Sequence, residues 1–273
     1  MFLKKIWHNY SYLLLIGWIL FSIVTKPGWL ILIIGCLSWL ALVYFTSPGV
    51  FWSFLAAISF KPENTRLRLQ KALSYQPVIA YPYMMLGVIH ARKEEWTEAT
   101  PLLEQAVNLT SAKKVNYTKL LAQAYRENGF YDQALKIFLG IIASGQKTCL
   151  LYTDLALTYY KMNQLPESLE AADKARLLDP KAVQPVLIMA KIHFAQKNFP
   201  AARDDYEWAL SHLSWPVESY YWLGRIEVEL GNYPRAVELL KTAVERITAD
   251  PLLSDITSEE AQQLLVDTEK SLH

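Results

Sequence analysis

The chain changes character along its length. From Ile6 to Thr25 no side chain is acidic or basic apart from His8; Lys26 follows, and from Pro27 to Phe60 the run is again without charge. An α-helix rises 1.5 Å per residue, so about 20 apolar residues cross a hydrocarbon core of roughly 30 Å. The pattern predicts a membrane hairpin over residues 1–49. Its spans fall at about 10–25 and 29–45, joined by the turn Thr25-Lys26-Pro27-Gly28, where proline pre-sets φ and glycine accepts φ > 0. Thr46-Ser47-Pro48-Gly49 breaks the second run. Val50–Phe60 is too short to cross, and reads either as an interfacial segment or as the first helix of the domain beyond it. Lys4 and Lys5 before the hairpin, and Lys61, Arg66, Arg68 and Lys71 after it, outnumber Lys26 at the turn. By the positive-inside rule this predicts an integral membrane protein with both termini and the remaining domain cytoplasmic. The short, compact architecture points to a bacterial plasma membrane.

Beyond Lys61 the pattern becomes periodic on a longer scale. Ala99, Ala134, Ser168, Ala202 and Ala236 are spaced by 35, 34, 34 and 34 residues. Twelve positions before each stands a small residue: Gly87, Ala122, Ala156, Ala190 and Gly224. Seven after each stand Ala106, Ile141, Ala175, Ala209 and Ala243, and three before each stand Trp96, Tyr131, Leu165, Phe199 and Tyr233. Small residues at fixed offsets mark close approach of helix axes, and a period of this length marks stacked supersecondary units. Pro166, Pro200 and Pro234 suit the first turn of a second helix, where a missing N–H costs nothing. Asn128-Gly129, Asn163 and Gly231-Asn232 supply the turns between the helices.

These positions resemble the tetratricopeptide repeat family. Tyr220, Leu223-Gly224, Ala236, Leu240 and Ala243 carry its signature in one unit, and Tyr152, Leu155-Ala156, Tyr159, Ala175 and Pro180 in another. His90, His193 and Glu227 depart from it where the family places tyrosine. The resemblance implies an all-α fold: an α-solenoid of five full helix-turn-helix units over 80–250, starting at about 80, 115, 149, 183 and 217. A partial unit over 50–79 would precede them. Residues 251–273 read as a capping helix, with Thr257-x-x-Glu260 as its capping box and Ala261, Leu264, Leu265 and Leu272 as its apolar stripe.

Composition fits two unlike parts. The chain of 273 residues is 52% hydrophobic and 19% charged, with net charge +1. Residues 1–61 hold four lysines and no acid, for +4, and the remainder holds 23 basic and 26 acidic residues, for −3. Near neutrality excludes a global attraction for nucleic acid. Two cysteines, Cys36 and Cys149, exclude a disulfide framework or a cysteine-rich zinc site.

No phosphate-binding loop, dinucleotide fingerprint, zinc-protease motif or nucleophile elbow is present, and no two histidines stand four apart. The sequence therefore predicts no enzyme, no cofactor and no metal. What the resemblance implies is a concave groove lined by the first helix of each unit. Its offsets fall on Tyr81, Met84, Val88 and Arg92; Asn116, Lys119, Gln123 and Arg126; Thr153, Asp154, Leu157 and Tyr160; Gln184, Leu187, Lys191 and Phe194; and Tyr221, Trp222, Arg225 and Val228. Cations beside aromatics suit an extended peptide with acidic and apolar side chains. The clamp with which chaperone-binding members hold a terminal carboxylate is not supported. Lys119 matches it and Gln123 comes near, but Asp154 stands where an asparagine belongs, and Gln184 and Ile188 replace cations. An acid in such a clamp repels its ligand. The expected function is a membrane-anchored scaffold that recruits or assembles protein partners. The alternative is an accessory subunit touching a membrane enzyme or transporter through its spans.

Overall fold

A computed structural model describes residues 29–110, 115–213, 217–249 and 256–271. Among them are fourteen α-helices and no strand. They are α1 (Trp29–Thr46), α2 (Pro48–Ala57), α3 (Pro62–Leu73), α4 (Tyr81–Ala91), α5 (Trp96–Leu109), α6 (Val115–Glu127) and α7 (Tyr131–Ala143), then α8 (Cys149–Lys161), α9 (Leu165–Leu178), α10 (Val183–Ala195), α11 (Phe199–His212), α12 (Val217–Glu229), α13 (Tyr233–Ala249) and α14 (Ser258–Lys270). The chain forms two compact units, residues 1–137 and 138–273. Within each, successive helices joined by short connections pack as neighbours, as solenoid repeats do.

The 34-residue register is the register of burial. Ala99, Leu103 and Ala106 on α5 are fully buried. Ala202, Tyr206 and Ala209 on α11, and Ala236, Leu240 and Ala243 on α13, repeat that spacing and that burial. The small residue twelve positions earlier is the other half of each joint. A Cβ added to Gly87 would lie 2.8 Å from Leu103 Cδ2, and one added to Gly224 would lie 2.6 Å from Leu240 Cγ. No side chain fits between those helices. The anchor Ser168 is also fully buried, and its hydroxyl donates to the carbonyl of Ala156 at 2.7 Å, so a polar atom replaces a methyl without being orphaned.

The turns follow the same register. Glu94, Gly129, Asn163, Lys197 and Gly231 all take positive φ, between 58° and 80°, one per turn. Glycine or asparagine accepts that backbone readily; Glu94 and Lys197 adopt it at a cost of roughly 1 kcal/mol. Helix starts use the devices expected of them: proline in the first turn of α2, α3, α9 and α11, and the hydroxyls of Thr148 and Thr257 accepting from Leu151 N and Glu260 N. The box at Thr257 is only half closed. The Glu260 carboxylate accepts instead from the Tyr221 hydroxyl at 2.6 Å, tying α14 to α12.

The integral-membrane localisation requires correction. Among the described residues no helix is long and apolar enough to cross a membrane. The first expected span, 10–25, lies outside them. The second falls on α1, which is one of the described helices. Part of α1 packs on the next helix, while Ile33, Leu37, Leu42 and Phe45 stay exposed. Val43 is 2% exposed, Trp39 meets Phe54 edge-on at 6.0 Å, and Tyr44 meets Phe51 at 5.1 Å, so α1 folds back on α2.

Candidate functional site

The first helices of the repeats, α4 and α6 in one unit and α8, α10 and α12 in the other, carry the residues expected to line a groove, with Arg92 at the C-cap of α4. Their fates differ. In the first unit Tyr81 and Val88 are half-buried, Met84 packs into the cluster around Leu103, and Arg92 and Asn116 are exposed. Lys119 and Gln123 are half-buried. Arg126 is 8% exposed, its Nε 2.9 Å from Glu127 Oε1, and offers a partner little surface.

In the second unit Asp154 is 6% exposed and Tyr221 2%. Both are turned into the fold. Burial, then the hydrogen bond to Glu260, pushes the Tyr221 phenol up to about 12. Thr153 donates to the carbonyl of Cys149, Gln184 is exposed, and Leu157, Tyr160, Leu187 and Val228 are half-buried. Burial raises the Tyr160 phenol above its ordinary range.

Five predicted residues converge on α10 and α12. Phe194 meets Trp222 edge-on at 5.2 Å. The Arg225 guanidinium lies 4.9 Å from the Trp222 ring centre, 5.2 Å from Phe194 and 5.9 Å from Tyr221. Lys191 Nζ is 3.9 Å from Glu218 Oε2. Spacing brings Tyr221, Trp222 and Arg225 onto one helical face, three and four residues apart. A guanidinium over ring faces is held flat by their quadrupoles and by dispersion.

Sequence reasoning missed three members of this assembly. Tyr206 on α11 stacks almost parallel on Trp222, with centroids 6.3 Å apart. Its place in the register, occupied by leucine at 103 and 240, gave it the look of core packing. Glu218 and Glu260 also belong here, facing Lys191 and Tyr221. Below the site, the position where the signature has tyrosine is polar in every repeat and finds a polar neighbour where one is in reach. His90 Nδ1 lies 2.6 Å from Glu95, Tyr125 donates to Glu104 at 2.6 Å, and His193 Nδ1 lies 2.8 Å from Asp205. Glu227 is fully buried. It accepts from Asn232 at 3.0 Å and faces Arg235 at 3.3 Å and Arg203 at 4.0 Å. Among the described residues no group of three or more His, Cys, Asp or Glu side chains could hold a metal ion.

The repeat geometry matches known proteins. A family model described as tetratricopeptide repeat covers residues 153–210 and 187–251. Residues 153–251 are tetratricopeptide repeats. The tetratricopeptide register of burial seen there continues N-terminally through Ala99, Leu103 and Ala106. The chain is also 27% identical over 162 residues to Hsp70-Hsp90 organizing protein 3 of Arabidopsis thaliana, a match covering 55% of this chain; the chain spans 29% of that relative's length. Among solved structures it resembles yeast Tom70, with TM-score 0.58 and 15% identity over 88% of this chain and 50% of that one. It resembles TTC0263, a tetratricopeptide protein of Thermus thermophilus, with TM-score 0.55 and 17% identity over 71% and 98%. YrrB, described as a tetratricopeptide protein with an unusual peptide-binding site, has TM-score 0.50 and 16% identity over 74% and 97%. At these identities the structural likeness establishes the fold.

Proposed function

We propose that the chain is an interaction scaffold that holds a segment of a partner protein on the first-helix faces of its repeats and so recruits that partner into a larger assembly. The single observation that carries this reading is the cluster on α10 and α12. Phe194, Trp222 and Arg225 are only half-buried although they are large, mutually packed and backed by the fully buried Tyr206. Rigid aromatic and arginine side chains on a well-packed base are the residues that dominate binding energy in protein interfaces. The fold supports the same reading, since stacked repeats exist to present extended surfaces. So do the names of two similar proteins, one an organizer of chaperones and the other a peptide binder. The chaperone tail itself is a poor candidate, because Asp154, Gln184 and Ile188 occupy the clamp positions and Asp154 is buried.

The reading is tested by photo-crosslinking in cells from Lys119, Tyr160 and Trp222 on first helices, with Gln133 and Glu238 on second helices as controls. A defined partner captured from the first set and absent from the second is the expected result. Equal capture from both sets, or none from the first, overturns it.

A further inference from the structure

We propose that a cavity between α7, α8 and α9 is a second binding site, which takes a long basic side chain, lysine or arginine, of a partner protein. The site goes beyond the scaffold reading, because it lies off the first-helix groove.

The cavity has a volume of about 260 Å³, and its lining falls wholly inside the second unit. Pockets for drug-sized molecules start at about 300 Å³, so there is room here for one long side chain. Successive residues of an α-helix turn by about 100°. Tyr152, Leu155 and Tyr159, which line the cavity, therefore share one face of α8. The groove offsets Thr153, Asp154, Leu157 and Tyr160 fall on the opposite face.

Each part of the lining suits one part of a basic side chain. Leu139 on α7 and the buried Leu155 form an apolar side for the methylene stem. Tyr152 and Tyr159 are half-buried, and their hydroxyls make no hydrogen bond among the described residues. Their ring faces and phenol oxygens are free to receive a cationic head. On the α9 side Glu167 is exposed and paired with no cation among the described residues. Glu170 is already held by Lys174, Nζ to Oε1 at 2.6 Å.

The field in the cavity is negative in spite of Lys174. Burial first, then Glu167 and then Glu170, raises the Tyr159 phenol above its ordinary value, and Lys174 opposes them more weakly than either. The surrounding unit has the same sign: residues 138–273 hold 13 Lys and Arg against 19 Asp and Glu, for −6. An acidic ligand is repelled, and a neutral apolar one leaves Glu167 unanswered. A cation on an apolar stem satisfies the leucines, the rings and the charge together.

The test uses the full chain labelled with fluorotyrosine, followed by fluorine NMR. Tyr152→Phe and Tyr159→Phe assign the two resonances. The probes are Nα-acetyl-lysine amide and its norleucine analogue, which keeps the stem and lacks the charge. The lysine probe should move both resonances saturably, in the millimolar range that so small a ligand allows. The norleucine probe should bind about fivefold more weakly. Glu167→Gln, an exposed change checked for an unaltered melting curve, should weaken the lysine probe about threefold and leave the norleucine probe unchanged. Arg225→Gln, on the groove side, should change neither. Putrescine, a free diamine with the same head, should bind more weakly than the lysine probe, since its second charge falls on the apolar side. Tighter binding of putrescine overturns the assignment to a partner protein. Resonances that do not move, equal affinity of the lysine and norleucine probes, or indifference to Glu167→Gln overturns the site and leaves the groove reading standing.

Discussion

The two units share one packing plan and handle charge in opposite ways. Residues 1–137 hold 14 Lys and Arg against 7 Asp and Glu, for +7; residues 138–273 hold 13 against 19, for −6. The whole-chain value of +1 conceals both. In the second unit six of the thirteen cations face a carboxylate: Lys174, Lys191, Arg203, Arg235, Lys241 and Lys270, with Arg235 facing both Glu227 and Glu207. In the first unit Arg126 meets Glu127, while Arg68 donates to the backbone carbonyl of Leu55 at 2.6 Å and Lys71 sits over the Tyr75 ring at 5.8 Å. The helix joints nevertheless match: glycine against a fully buried leucine at 87 and 103, and again at 224 and 240. The fold resides in size complementarity between a small residue on one helix and a fully buried side chain on the next. Surface charge carries little of the stability and can differ between the units without disturbing the joints.

The largest expected effect tests whether the joint is common to both units. Gly224→Val places a branched side chain within 2.6 Å of Leu240, and Gly87→Val does the same within 2.8 Å of Leu103. Both leucines are fully buried, so each variant should lose about 3 kcal/mol in chemical denaturation, the upper range for overpacking. Amide exchange should accelerate first in α12 and α13 for the former, and in α4 and α5 for the latter. A silent Gly87→Val beside a damaging Gly224→Val would break the equivalence of the units.

The next effect separates them. Arg235→Ala leaves Glu227 fully buried, with Asn232 at 3.0 Å and only Arg203, at 4.0 Å, for charge. Stripping the partner from a buried carboxylate should cost about 2–3 kcal/mol, moderated because Arg235 is itself partly exposed. The matching change in the first unit is Glu104→Ala, which removes the acceptor of the Tyr125 hydroxyl and should cost about 1 kcal/mol. Equal losses in denaturation would remove the distinction between the two units at this repeat position.

The repeat register was legible in the sequence because it is set by volume. A joint that admits only Gly or Ala leaves a mark every 34 residues, and the anchors from Ala99 to Ala236 carry it without a gap. Phe194, Trp222 and Arg225 stand at family offsets on two different helices, but their packing against one another was not legible. The burial of Tyr221, Asp154 and Arg126 was not legible either. Their offsets match those of groove residues, and only the distances to Glu260 and Glu127 and the packing of α8 show which way they turn. Nor was the role of α1. An uncharged run looks the same whether it faces lipid or another helix, and the contacts of Trp39 and Tyr44 with α2 are long-range information.

A smaller effect is shared by both units and should confirm that they lose stability together in base. Burial first, and then a carboxylate acceptor, pushes the phenols of Tyr125 and Tyr221 up to about 12. An ordinary tyrosine ionises near 10. Between those values the unfolded chain has lost the proton and the folded chain keeps it, so the unfolded state binds fewer protons and stability falls as pH rises. Their contribution is complete below pH 10 and gone above about 12. Tyr125→Phe should flatten the alkaline loss in α6, and Tyr221→Phe in α12, when exchange-resistant amides are followed from pH 9 to 11.5. A slope unchanged by both variants would assign the alkaline loss to other groups.

The smallest effect has the opposite sign and belongs to the second unit alone. Tyr206 occupies the joint position that Leu103 fills in the first unit, and it brings a hydroxyl with it. The side chain is fully buried, and the hydroxyl has no hydrogen-bond partner among the described residues. A buried, unmade hydrogen bond carries a desolvation cost with nothing in return, whereas the ring itself is wanted against Trp222. Tyr206→Phe keeps the stack, removes one oxygen and should raise stability by about 1 kcal/mol in chemical denaturation. The corresponding joint at Leu103 has no polar atom to remove, so the gain is a property of the second unit's aromatic face. A loss of stability instead would show that the hydroxyl is bonded, through an ordered water, to groups on that face.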